Sequence, residues 1–239
     1  METIDISTRD GIADAYLAQP DDRPRGGVLL LMDAFGLRPR IAEMADRIAG
    51  EGYVVLAPNL YYRAGRAPVV ELGDMSDRAA LFARLRPLME TLGADNLIPD
   101  GSAYLDALAE RAPAPFGITG YCLGARLGLR LAAAYPDRVA ALGGFHGGRL
   151  VTDDHDSPHL LVPQIRAELY FGHADEDGSN TPEQIAALDA ALEAAEVRHQ
   201  SEVYAGASHG YTMADTPAYD AAATERHFAA LFALLDRAL

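Results

Sequence analysis

Cysteine is almost absent from these 239 residues: Cys122 is the only one. A single thiol excludes an internal disulfide framework and a four-cysteine zinc site. A chain of this length buries a substantial core without such staples. Lysine is missing altogether, so all 20 basic residues are arginine, and with 35 acidic residues they leave a net charge of −15. A surface that negative repels phosphate backbones and anionic lipid, which argues against nucleic-acid and membrane-surface partners. Long apolar runs are missing too. Val28 to Met32 is among the longest, far short of the roughly 20 residues that span a bilayer. Met1-Glu2-Thr3-Ile4-Asp5 has neither the basic nor the apolar part of a secretory signal. No repeat, low-complexity tract or Ser/Gly linker divides the chain. The expectation is a soluble, cytoplasmic protein forming one domain over residues 1–239, as a monomer or homodimer.

What is present is alternation. Short apolar runs at Ala13–Leu17, Gly27–Met32, Tyr53–Ala57, Phe116–Thr119, Val139–Phe145, Ala167–Phe171 and Ser201–Tyr204 are mostly bounded by Gly or Pro. Such runs read as buried strands of a mostly parallel sheet. Helical patterns lie between them. Ile41, Met44, Ala45 and Ile48 share one face, with Gly52 as the expected stop. Thr181-Pro182-Glu183-Gln184 supplies an N-cap, a first-turn proline and a capping-box glutamine. The last helix is expected to start in the same way at Thr216-Pro217 and to carry Phe228, Leu231 and Leu235 on one side. Strands alternating with helices predict an α/β fold with helices on both faces of the sheet. Ligands of such sheets bind beyond the carboxyl ends of the strands.

There the sequence places Gly120-Tyr121-Cys122-Leu123-Gly124, between the run Phe116–Thr119 and an amphipathic stretch that ends before Pro136. Strand, sharp turn and helix with Gly-x-Cys-x-Gly at the turn is a nucleophile elbow with cysteine in the serine position. The glycines let strand and helix pack closely around a strained nucleophile. The helix N-terminus stabilises a thiolate, and the Leu123 amide becomes an oxyanion donor. A small buried cysteine on an ordinary turn would satisfy the same pattern, but an acidic loop and a histidine follow in the order that α/β-hydrolases use. The acid comes from Asp175-Glu176-Asp177, with Asp175 the first choice and Asp177 the second. The base is His209, after the last strand run. His146 also follows a strand end but precedes the acid, and His199 and His227 are expected to face solvent. The cluster Asp153, Asp154, His155, Asp156 and His159 has the ligand types of a divalent metal site, but a short, solvated polar loop around Ser157-Pro158 is the better explanation, and no metal is expected there.

Together these residues resemble the dienelactone hydrolase family (carboxymethylenebutenolidase-like α/β-hydrolases). The resemblance covers nearly the whole chain: Met32-Asp33-Ala34-Phe35-Gly36-Leu37, Ala57-Pro58-Asn59-Leu60-Tyr61, Gly120-Tyr121-Cys122-Leu123-Gly124, Gly172-x-x-Asp175 and Gly206-x-x-His209-Gly210. It implies an α/β-hydrolase fold without a large lid domain. It also implies a Cys122–His209–Asp175 triad acting on a small ester or lactone, and an oxyanion hole formed by the amides of Leu123 and Ala34. No cofactor and no metal are called for. Phe35, Tyr121, Arg78, Phe82 and Met213 are the implied substrate contacts.

Three departures qualify the resemblance. Asp33 stands where the family has a glutamate that holds the resting thiol, so a thiol-modulating role falls to a side chain one methylene shorter. Phe82 stands where a tyrosine is usual, four residues beyond Arg78. Met213 stands where a second substrate-binding arginine is expected. Losing a charge-assisted contact to a carboxylate costs a few kcal/mol, of order 10²-fold in binding, so a less charged ester or lactone than the dienelactone is expected. The alternative to an enzyme is a non-catalytic α/β-hydrolase fold that binds a small ligand or a protein partner.

Overall fold

A computed structural model describes residues 2–73 and 77–239. Among them, eight strands build one sheet: β1 (Glu2–Thr8), β2 (Gly11–Ala18), β3 (Gly26–Leu31), β4 (Tyr53–Pro58), β5 (Phe116–Tyr121), β6 (Val139–Phe145), β7 (Glu168–Glu176) and β8 (His199–Ser208). Their order is β1-β2-β4-β3-β5-β6-β7-β8. β1, β2 and β4 pair antiparallel, and every pair from β4 to β8 is parallel. The seven apolar runs are β2 to β8. β1 was not expected because its apolar residues, Ile4 and Ile6, are only two, set at an edge among exposed polar neighbours.

The helices are α1 (Pro39–Ala49), α2 (Arg78–Glu90), α3 (Ala94–Ala109), α4 (Leu123–Ala134), α5 (Pro182–Ala194) and α6 (Ala221–Ala238), with a 3-10 helix at Pro158–Gln164. α2 and α3 escape a periodicity reading because each carries an internal proline, Pro87 and Pro99, a residue that normally ends a helix. α5 has the full capping box of Thr181 and Gln184. α6 differs from expectation. Asp220 caps it by accepting from the Ala223 amide, whereas the Thr216 hydroxyl donates to the Met213 carbonyl, so Thr216-Pro217 belongs to the preceding loop. α1 ends at Gly50, and Gly52, at φ +98°, makes the turn into β4.

Alternation along β5 assigns the layers. Space above Gly117 is filled by Leu235 of α6, and Gly128 of α4 packs on the neighbouring Ile118. Successive residues of a strand face opposite sides, so α6 and α4 cover opposite faces. α1 joins α6 through Arg47–Glu225 and through Arg47 lying over the Phe228 ring. α3 joins α4 where Gly101 meets Leu131; a Cβ at 101 would stand 2.4 Å from Leu131 Cδ2. Val28 to Leu31, Val54 to Leu56 and Leu142 are fully buried between these layers. Among the described residues no helix is long and apolar enough to cross a membrane.

Candidate active site

β5 leads directly into Cys122, which has φ +53° and ψ −109° and is followed by α4. A positive φ is costly for a residue with a Cβ, so the surroundings must hold the turn. The Cys122 amide donates to the Phe145 carbonyl of β6 at 3.0 Å. Both flanking glycines are obligatory for space. A Cβ on Gly120 would lie 2.3 Å from the Gly124 carbonyl oxygen, and one on Gly124 would lie 2.2 Å from the Leu31 carbonyl oxygen. The turn therefore presents Cys122, half-buried, at the N-terminus of α4.

His209 lies beyond the end of β8, and its Nδ1 is 2.6 Å from Asp177 Oδ2. The first-choice acid is thus corrected. Asp175 is exposed, and its Oδ2 accepts from the Gly206 amide at 2.9 Å. The reason is the true extent of β7, which runs on to Glu176 with an irregular register opposite β8 between Ala174 and Glu176. Asp175 braces that irregularity, and Asp177 is the first carboxylate past the strand. Asp177 Oδ1 accepts from the Ser179 hydroxyl at 2.6 Å and the Ser179 amide at 2.8 Å, which leaves Oδ2 to His209. The Asp177 side chain is 3% exposed. Burial alone would raise its pKa, yet the hydrogen bond and charge of His209 hold it below the ordinary carboxylate value. Burial likewise lowers the pKa of His209, but the charge of Cys122 and the hydrogen bonds to Asp177 and Cys122 outweigh it and raise the imidazole to about 10. With Nδ1 committed to Asp177, Nε2 is the nitrogen left for the thiol.

The loop after β3 carries the second correction. Asp33 does not serve the thiol. Its Oδ1 is 2.6 Å and its Oδ2 3.0 Å from the Arg38 guanidinium, and Oδ1 also accepts from the Phe35 amide at 3.0 Å. Arg38 reaches in turn to Asp215 Oδ2 at 2.6 Å and to Met213 Sδ at 3.3 Å. Asp33, Arg38 and Met213 are all buried, so a shorter acid has acquired a partner on its own loop. That buried ion pair ties residues 33–38 to the loop after His209. The Ala34 peptide is fixed from the other side, where its carbonyl accepts from the Tyr61 hydroxyl at 3.0 Å.

A cleft of about 1060 Å³ opens over these groups, lined by Ala34, Phe82, Cys122, Leu123, Arg126 and His209 among others. Of the expected substrate contacts, Phe82 lines it and is half exposed. Three do not. Tyr121, the last residue of β5, points to the opposite face, where its hydroxyl lies 3.0 Å from His227 Nε2. Phe35 packs beside the Arg38 guanidinium, 5.5 Å from its ring centre, and Met213 is held in the Arg38 cluster. Arg78 opens α2, but its side chain is outside the described residues. His227 is buried rather than facing solvent. His146 is also buried, behind His209, at 5.4 Å between ring centres, with Nε2 2.7 Å from Thr212 Oγ1. Burial pushes its pKa well below the ordinary value, so it is a neutral neighbour of His209. In the acidic loop, Asp154 and Asp156 pair with Arg149 and Arg130, and His159 Nδ1 lies 2.7 Å from the Ser157 hydroxyl.

Residues 13–239 match the model of the dienelactone hydrolase family. The chain belongs to that family. It is 30% identical over 225 residues to a provisionally named carboxymethylenebutenolidase of Escherichia coli strain K12, covering 88% of this chain and 77% of that one. It is 32% identical over 127 residues to the carboxymethylenebutenolidase of Rhodococcus opacus, covering 53% of this chain and 46% of that one. Among solved structures, a provisionally named dienelactone hydrolase of Klebsiella pneumoniae superposes with a TM-score of 0.87 at 22% identity, over 99% of this chain and 98% of that one. The fold is that of the α/β-hydrolases.

Within this dienelactone hydrolase frame, three residues of the site went unnoticed in the sequence. Ser179 orients the acid and was detectable as the serine two residues after Asp177 in an Asx turn. Arg38 neutralises Asp33 from the first position before α1. Arg126 lines the same cleft as Cys122 and was readable as the fourth residue after it on a helix that starts there.

Proposed function

We propose that the protein hydrolyses a small ester or lactone through a Cys122–His209–Asp177 triad. The observation that carries this reading is the 2.6 Å hydrogen bond from His209 Nδ1 to a buried Asp177, with Cys122 interacting with the same imidazole in the same cleft. A nucleophile, a base and an acid that orients the base are the three parts such chemistry needs.

Cys122 Sγ, as thiolate, attacks the carbonyl carbon, and the carbonyl π electrons move to oxygen. The amides of Leu123 and Ala34, two residues that line the cleft with Cys122, hold the oxyanion. The positive end of α4 adds to its stabilisation. Collapse of the intermediate breaks the ester C–O bond, and the departing alkoxide takes the proton of the His209 imidazolium. Neutral His209 then removes a proton from water, whose oxygen attacks the thioester. The acid product leaves, and the thiolate and imidazolium are restored. Asp177 stays ionised throughout and stabilises the imidazolium. Asp33 acts indirectly, by holding the loop that carries the Ala34 amide.

The test is hydrolysis of 4-nitrophenyl acetate by the native chain and by Cys122→Ala. Activity in the first that is lost in the second supports the enzyme. No turnover in either, with the fold intact, supports the alternative of a ligand-binding protein.

A further inference from the structure

The cleft has two chemically different ends. One holds His209 and the loops after β6 and β7, with Arg149, Thr152, Glu176 and Ser179 on its rim. Charges there match one another: Arg149 pairs with Asp154 at 3.3 Å, and Arg130 of α4 with Asp156 at 3.1 Å. At the other end the wall is formed by Phe82, Met89, Leu92, Ala94 and Leu127.

This second end is a groove between two helices. On α4 the lining residues are Cys122, Leu123, Arg126, Leu127 and Arg130, spaced as one stripe. On α2 they are Phe82, Arg86, Met89 and Glu90, again one stripe. Leu81 and Leu85, on the adjoining stripe of α2, are buried in the core. Phe82 is left 49% exposed. Ile12, Leu160, Val203 and Tyr219 are the other exposed large apolar side chains among the described residues, and none borders the cleft. An open aromatic ring in the cleft of a nucleophile marks a surface for an apolar ligand. Arg86 and Glu90 are exposed to water, and Arg126 is half-buried. Arginines in such places lay their methylenes on apolar surface and keep the charged head in water.

The sheet decides which part of an ester enters the groove. β3 and β8 lie on opposite sides of β5. α3 covers β3, where a Cβ on Gly27 would stand 2.9 Å from Leu108 Cγ, and α2 leads into α3. His209 follows β8 instead. The general acid must reach the leaving oxygen, so the alcohol part of the ester lies on the His209 side. The acyl part therefore runs the other way, along α4 towards α2.

We propose that the groove between α2 and α4 binds an unbranched apolar acyl chain of the ester, with Phe82 as the residue that sets the chain-length preference. This rests on the hydrolase reading above and deepens it. Leu127 and Arg130 lie five and eight residues beyond Cys122, rises of about 7.5 and 12 Å along α4. With carbon–carbon bonds of about 1.5 Å in a zigzag, that span is about six to ten carbons. The substrate class is then a medium-chain acyl ester, in keeping with the positive charge lost at Met213.

The test is kcat/KM of the native chain for 4-nitrophenyl acetate, butanoate, hexanoate, octanoate and decanoate, each below its solubility limit. Burying one methylene is worth up to about fourfold, and a groove open along one side buries part of each, so octanoate exceeds acetate by about tenfold or more. A lower ratio overturns the groove and leaves the hydrolase reading standing. Phe82→Asp places a charge against the chain and removes most of the ratio, whereas Phe82→Leu keeps most of it. A ratio untouched in Phe82→Asp overturns the proposal; if Phe82 only supported the fold, every ester would fall alike and the ratio would not move. Octyl acetate against ethyl acetate checks the orientation. A gain there as large as in the acyl series places the chain beside His209 and overturns the assignment. Should Phe82→Asp misfold, the native acyl series and the octyl acetate comparison decide together. Failure of the native chain to hydrolyse any of these esters overturns the hydrolase reading itself, and the groove with it.

Discussion

His209 Nδ1 lies 2.6 Å from Asp177 Oδ2, while Asp175, two residues earlier, accepts from the Gly206 amide at 2.9 Å. The two aspartates therefore separate function from architecture. Asp177→Asn should lower kcat for a 4-nitrophenyl ester by about 10²- to 10⁴-fold, because the imidazole loses the group that fixes its tautomer and stabilises its charge. Asp175→Asn should leave kcat within a few-fold, since it touches only the β7–β8 irregularity. Steady-state kinetics on the pair decides between them, and equal losses would contradict the assignment.

The pH dependence follows from the same contacts. Cys122 and Asp177 together outweigh burial and raise His209 to about 10. The imidazolium that protonates the leaving group is therefore present below that pH and lost above it, and kcat/KM should fall on an alkaline limb near pH 10. Removing Asp177 removes one of the raising contacts, so in Asp177→Asn the limb should move to lower pH. A limb that stays in place or rises would contradict the electrostatic account.

The ion cluster at Asp33 makes a stability prediction. Arg38→Met leaves a buried carboxylate with no counter-ion, and breaking a buried pair in this way costs about 3–5 kcal/mol. Asp33→Asn combined with Arg38→Met should recover part of that loss, because the stranded charge is gone. Thermal or denaturant unfolding of the single and double variants measures both. A single variant as stable as the native chain would show that Asp33 is held by something other than Arg38.

The elbow offers a steric prediction. Gly124→Ala would put a methyl group 2.2 Å from the Leu31 carbonyl oxygen of β3, backbone that has no rotamer to yield. The variant should lose the folded state or the positive φ of Cys122, and near-UV circular dichroism together with esterase activity reports either outcome. Native stability with native activity would refute the packing argument.

These particulars also explain what could be read from the sequence. β2 to β8 were legible because buried strands are short apolar runs, and Gly120, Cys122 and Gly124 because close packing leaves few residue choices at an elbow. His209 was legible from its place after the last strand. Asp177 was ranked second because the position of a strand end depends on register with β8, which no local pattern reports. The roles of Asp33, Met213 and Tyr121 were misread for a related reason. Met213 and Tyr121 each depend on a partner distant in sequence, Arg38 and His227, while Asp33 pairs with Arg38 five residues along its own loop, a contact that no local pattern marks.

The central claim is that the thiol of Cys122 does the chemistry, and the chain's single cysteine makes the measurement clean. Iodoacetamide should add one carbamidomethyl group per chain at Cys122, by intact-mass spectrometry, and esterase activity should fall in proportion to the fraction modified, reaching background at full modification. A folded, fully alkylated chain that still hydrolyses the ester at the native rate would contradict the account.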